Sequence, residues 1–84
     1  MLLFHPQAWD DYLYWQQTDK AVLKRVNLLI KDIQRNPFEG IGKPEPLKFN
    51  FTGYWSRRID DIHRVVYKVD GHEIIFAQLR GHYA

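Results

Sequence analysis

The chain contains no cysteine, which excludes a disulfide framework and any thiolate metal site and fits a reducing compartment. No apolar run approaches the roughly 20 residues of a membrane span. The opening Met1-Leu2-Leu3-Phe4 is too short, and lacks the basic start, for a secretory signal. A soluble, unprocessed, cytoplasmic protein with no membrane partner is expected. The four histidines, His5, His63, His72 and His82, show no paired ligand spacing, so neither metal nor other cofactor is expected. There is no internal repeat and no low-complexity tract. Charge of one sign is also scarce: the formal net charge is +2. Its distribution is uneven, with five Lys/Arg against five Asp/Glu in residues 1–42, and seven against five, plus three histidines, in residues 43–84. A modest basic excess does not by itself name a partner.

What the chain does have is aromatic residues. Three Trp, five Tyr and five Phe in 84 residues must supply much of a thin core, because a single domain of this size buries only about 60–65% of its unfolded surface. Leu2–Phe4 reads as a short buried strand. Pro6 suits a helix start. The helix to Gln17 carries Trp9, Tyr12 and Leu13 at helical spacing, with Asp10 and Asp11 toward its positive end. Thr18-Asp19 reads as a break and a new N-cap. From Lys20 to Arg35, Val22, Val26, Leu29, Ile30 and Ile33 form one apolar stripe, and Asn36-Pro37 ends the helix. Residues 37–53 read as a long loop, which in a small domain is functional or disordered. Leu47, Phe49 and Phe51 favour order, as side chains able to pin the loop to the core. Tyr54–Ile59, Ile62–Val69 and His72–Gly81 read as antiparallel strands turning at Asp60-Asp61 and Asp70-Gly71. The fold class is α+β, one domain over 1–84, with two helices on one face of the sheet.

The sequence motif with most chemical content is Lys43-Pro44-Glu45-Pro46-Leu47-Lys48. Proline fixes its own φ and biases the preceding residue toward extended backbone, so Glu45 is carried on a stiff arm, as a general base requires. Alternation along the strands puts Val65, Tyr67 and Val69 on the core face with Ile75, Ala77 and Leu79. Arg58, Arg64, Arg80 and His82 then fall on the open face. Ile74 and Phe76 share that open side, so the last strand's alternation is not clean. Arg57 is expected to pack its stem or pair with an acid, and His63 to be a satisfied group on the core side. An acid, a base and several fixed cations suit RNA cleavage by attack of a 2′-hydroxyl on the adjacent phosphate. There guanidinium groups stabilise charge on the phosphoryl oxygens.

These residues resemble the YoeB toxins, ribosome-dependent mRNA interferases within the RelE/ParE toxin superfamily. The similarity runs through Trp9-Asp-Asp-Tyr-Leu-Tyr-Trp15, Pro37-Phe-Glu-Gly40, Gly42-Lys-Pro-Glu-Pro-Leu-Lys48, Trp55-Ser-Arg-Arg-Ile59, His63-Arg64, Val66-Tyr67 and His82-Tyr83. The resemblance implies a β-α-α-β-β-β fold with an antiparallel sheet, a homodimer, and cleavage of mRNA in the ribosomal A site of the small subunit. It assigns Glu45 as general base, Arg64 as transition-state stabiliser, His82 as general acid and Tyr83 as the residue that stacks on the substrate. Lys48 and Arg58 match supporting basic positions, and Arg80 joins them as an RNA- or ribosome-binding residue. A YefM-type antitoxin is the implied partner. Ala84 departs from the pattern by following the closing tyrosine. Two other functions compete: a ParE-like toxin that acts on gyrase without cutting, and a non-enzymatic nucleic-acid-binding module.

Overall fold

The breaks at Pro6, Asp19 and Asn36 divide the first half into one strand and two helices. In the computed structural model, which describes residues 1–82, β1 (Leu2–Phe4) leads into α1 (Pro6–Thr18) and α2 (Lys20–Arg35). Tyr83 and Ala84 lie outside the described residues. Pro6 occupies the first turn of α1, where its missing N–H costs nothing. Asp19 closes one helix and opens the next. Its N–H donates to Trp15 O, and its Oδ1 accepts from the N–H groups of Ala21 and Val22, each at 3.1 Å. The second half holds β2 (Glu45–Pro46), a 3₁₀ turn (Phe49–Phe51), β3 (Trp55–Arg58), β4 (Arg64–Asp70) and β5 (Glu73–Gln78).

The architecture is α+β as read, with a difference in the sheet. The order is β1-β5-β4-β3-β2, and β1 runs parallel to β5, so the sheet is mixed rather than wholly antiparallel. The two helices supply the crossover that a parallel neighbour needs. Part of the expected long loop is also sheet, since Glu45 pairs with Ser56 and Pro46 with Trp55. The proline arm is thus an edge strand, the place in a sheet where proline's missing donor is tolerated and where it discourages further strand pairing.

The core lies between the helices and one sheet face. Ala8 and Trp15 of α1 and Val26, Leu29, Ile30 and Ile33 of α2 pack with Val65, Tyr67, Ile74, Phe76 and Leu79. The α2 stripe is the one expected. On α1 the buried face is Ala8, Asp11 and Trp15, whereas Trp9 is about half exposed and stacks on Tyr12 at 5.7 Å. Asp11 is accommodated because its Oδ2 accepts the Leu79 N–H at 3.0 Å and its Oδ1 accepts from Gln7 at 2.8 Å.

The face assignment of β5 is corrected. Ile74 and Phe76 belong to the core, and Ile75 and Ala77 do not. Tyr67 pairs with Phe76 but Val66 pairs with Gln78, so the register shifts by one residue at Ala77. A bulge of this kind resets alternation, which explains how Phe76 and Leu79, three apart, are both buried. The strand also ends at Gln78 rather than Gly81.

Arg57 is completely buried on the helix face and holds the loop after α2 to the sheet. Its Nε donates to Tyr67 Oη, Nη1 to Asp32 Oδ2 and Ile41 O, and Nη2 to Asn36 O and Glu39 O. Tyr67 Oη in turn donates to Pro37 O. Burial pushes the Tyr67 hydroxyl's pKa up, partly opposed by Arg57. Asp32 is drawn down from 3.8 to about 2 by Arg35, by Arg57 and by the Ile41 N–H. Gly42, at φ +79, passes so close to α2 and β3 that a Cβ there would sit 2.8 Å from Leu29 Cδ2 and 3.1 Å from Arg58 O. Its carbonyl accepts the Arg58 N–H at 2.7 Å. The chain therefore enters the Pro44–Pro46 arm from a fixed point.

Candidate active site

Register across the sheet decides what shares the open face. Glu45 stands opposite Ser56, Ser56 opposite Val66, and Val66 opposite Gln78. Directly opposed residues point to the same side, so Glu45 shares the face away from the helices. One row along, Arg58 stands opposite Arg64 on that face. Two like charges directly opposed are unfavourable by some tenths of a kcal/mol. The described residues contain two ion pairs, Arg35–Asp32 and Arg57–Asp32, and neither relieves this one.

Arg64 is held before any ligand arrives. It is about nine-tenths buried, and its Nη1 donates to Asp60 O at 2.7 Å and His63 O at 3.1 Å. Among the described residues its Nε and Nη2 make no hydrogen bond, which leaves one edge of the guanidinium fork for an anion. The turn behind it is an Asx turn, in which Asp60 Oδ1 accepts the N–H groups of Ile62 and His63 at 2.8 and 2.7 Å. Partial burial pushes the Asp60 carboxyl's pKa up, but those two backbone donors, with His63 and Arg64 nearby, bring it net down.

The tail reaches the site by following β4. The Arg64 N–H donates to Gly81 O at 2.9 Å, so exposed His82 follows directly from the residue paired to Arg64. Gly81 makes the approach at φ +82, a left-handed conformation that glycine tolerates. Between Glu45 on β2 and the tail beside β4 lie three strand spacings, on the order of 14 Å between backbones. Arg58 and Arg64 lie in the interval between them.

The remaining expected site residues fall as follows. Lys48 is exposed just beyond β2, on the rim of a cleft of about 450 Å³ lined by residues 45–51. Leu47 is buried and its N–H donates to Tyr54 O, so it pins the arm as expected. Phe49 does not: it is 91% exposed, at φ +58, beside Lys48. Arg80 is not brought to the open face. Its guanidinium lies over the Tyr14 ring on α1, 3.8 Å from the centroid, because β5 ends at Gln78 and strand alternation no longer directs the residues after it. Tyr83 lies outside the described residues. No group of three or more His, Asp or Glu that could hold a metal occurs among the described residues.

Sequence reasoning passed over the groups that secure the tail. Asp11 and Trp15 hold Leu79 from both sides, Trp15 Nε1 donating to its carbonyl at 2.8 Å. Their i, i+4 spacing with Ala8 was legible, but an aspartate in a buried stripe reads as polar surface.

Comparison with known proteins places this fold in a family. Residues 4–83 match the family described as the YoeB-like toxin of bacterial type II toxin-antitoxin systems. The chain is 56% identical over 82 residues to Toxin YoeB of Escherichia coli K12, covering 98% of each. It is similar to the toxin in a heterotetrameric YoeB-YefM complex from Staphylococcus aureus, at 54% identity and a TM-score of 0.91, covering 99% of this chain and 97% of that one. A YoeB dimer from the same species is also 54% identical, with a TM-score of 0.89, covering 98% and 95%. On a match that runs over nearly its whole length, the chain belongs to the YoeB-like toxins of bacterial type II toxin-antitoxin systems.

Proposed function

We propose that this toxin is a metal-independent endoribonuclease that cuts mRNA in the ribosomal A site and so arrests translation in the cytoplasm. The observation that carries the reading is the Arg58–Arg64 pair on the open face, one row from Glu45, with no ion pair to either guanidinium among the described residues. Opposed cations, one of them held in place before a ligand binds, favour a phosphate between them. In the reaction Glu45 takes the proton from a 2′-hydroxyl. The 2′-oxygen then attacks the adjacent phosphorus, the bond to the 5′-oxygen breaks, and protonated His82 donates its proton to that leaving oxygen. The products are a 2′,3′-cyclic phosphate and a 5′-hydroxyl. Arg64, with Arg58, stabilises the charge that grows on the phosphoryl oxygens. Lys48 contacts the flanking phosphate, Tyr83 stacks on the substrate, and Arg80, stacked on Tyr14, contributes only at the periphery. The complexes formed by its relatives support a YefM-type antitoxin and a homodimer as its assembly partners.

The test is to map mRNA ends after brief expression. Cuts within codons that disappear when translation is blocked are the expected result. Intact message, with replication halting first, would instead favour a gyrase poison, and intact message with bound nucleic acid a passive binding module. In purified ribosome complexes, Arg64→Ala is expected to lower the single-turnover cleavage rate by about 10²–10³-fold, the range for a lost oxyanion donor, with ribosome affinity little changed. An equal fall in affinity would make Arg64 a docking residue. For Glu45→Gln, loss of the alkaline rise in rate marks a proton acceptor. A uniformly lower profile of unchanged shape marks a group that only orients the ribose.

A further inference from the structure

We propose that His63 is the positioning residue for the catalytic tail, and that it acts as a neutral imidazole whose Nδ1 accepts the Gly81 N–H. The inference rests on the reading of His82 as general acid. A segment that has left its sheet is poorly ordered unless tied down, and the residues from Leu79 to Gly81 are tied down in steps. Leu79 is held by Asp11 and Trp15 of α1. The Gln78 side chain donates to Arg80 O and Gly81 O at 3.1 and 3.3 Å. Gly81 O also accepts from the Arg64 N–H. The last N–H before His82 belongs to Gly81, and it donates to His63 Nδ1 at 2.8 Å. A general acid must stand within hydrogen-bond reach of one leaving oxygen, and a displacement of about 1 Å can cost 10²-fold. The bond that fixes Gly81 therefore bears directly on where His82 can go.

An imidazole accepts a hydrogen bond at Nδ1 only when that nitrogen carries no proton. The groups packed around His63 keep the ring in place. Trp15 of α1 meets it edge-on, 4.8 Å between ring centroids. In the turn, the Asp60 carboxylate accepts the His63 backbone N–H at 2.7 Å. On β4 the Arg64 guanidinium bonds the His63 carbonyl. Protonating the ring would set an N–H donor against the Gly81 N–H and release the tail. The two histidines thus have opposite requirements: His82 must carry a proton, and His63 must not carry one on Nδ1.

The test combines two variants with a readout independent of cleavage. In ¹⁵N spectra of the whole protein, His63 Nδ1 should be unprotonated near neutral pH, and the Gly81 amide should be protected from exchange. His63→Asn keeps an acceptor near the Nδ1 position and cannot protonate. It is expected to retain cleavage within about threefold and Gly81 protection, and to lose the part of the acid-side fall in rate that wild type shows. His63→Leu is expected to lose Gly81 protection and to cleave about 10–100-fold more slowly, with ribosome binding unchanged. Wild-type cleavage by a folded His63→Leu, or loss in His63→Asn as deep as in His63→Leu, would overturn the proposal. If His63→Leu does not fold, His63→Asn decides alone, through its cleavage rate and the shape of its pH profile. A wild-type protein that cuts no message, yet shows the expected His63 tautomer and Gly81 protection, would overturn the nuclease reading and leave the tail anchor standing.

Discussion

His82→Gln should lower mRNA cleavage by about 10²–10⁴-fold, the contribution of a well-placed general acid, while the protein melts as wild type does. The side chain is exposed at the end of the tail, so replacing it removes little packing, and the anchors at Leu79 and Gly81 stay intact. Glutamine can still donate a hydrogen bond to the leaving 5′-oxygen but cannot transfer a proton to it. The deficit should therefore fall on the bond-breaking step and leave ribosome binding alone. Single-turnover cleavage beside thermal unfolding measures both quantities, and full-rate cleavage by this variant would remove His82 from the mechanism. A substrate with a better leaving group at the 5′ position should recover much of the lost rate, because it needs less help from an acid.

The second large effect is on stability. Arg57→Met should destabilise the fold by on the order of 3–5 kcal/mol, the range for removing one partner of a buried ion pair. A small domain has only about 5–15 kcal/mol in total. The change strands the carbonyls of Asn36, Glu39 and Ile41, which the guanidinium now satisfies. It also frees the loop that leads to the Pro44–Pro46 arm, so surviving protein should cleave poorly even where it is folded. Denaturant unfolding checks the first point. The pH dependence checks the partner. The carboxyl of Asp32 is depressed from 3.8 to about 2 in the folded state, so the stabilisation it gives is present above about pH 4 and lost as pH falls toward 2. Wild type should lose stability across that window, and Arg57→Met should lose less. Equal acid slopes in the two proteins would mean that Arg35 and the Ile41 N–H set the state of Asp32 without Arg57.

How much of this was legible beforehand differs from element to element. The α2 stripe and the Asp19 cap depend on neighbours within a few residues and form where local spacing put them, and the last hairpin forms one residue on, with Asp70 paired to Glu73 and Gly71-His72 as its turn. The face of β5 did not follow, because one extra residue at Ala77 reverses alternation, and a bulge leaves no mark on hydrophobic pattern. That single shift decided that Phe76 is core, while the end of β5 at Gln78 left Arg80 free to turn to Tyr14 instead of joining Arg64. The buried aspartate on α1 was hidden for a related reason: its partner, the Leu79 N–H, lies 68 residues away.

The sequence by itself determined the helices, the turns, the α+β class and the chemical types on offer, because these arise from short-range sterics and periodicity. It also marked Glu45 through the two prolines beside it. Only the tertiary structure decided what those prolines are for and what Glu45 faces. They make a sheet edge, and pairing through Ser56 sets the carboxylate on the same face as Arg58 and Arg64. Strand register is a long-range property, fixed by burial of one face and by loop anchors such as Arg57. No local pattern could therefore have put those three side chains together.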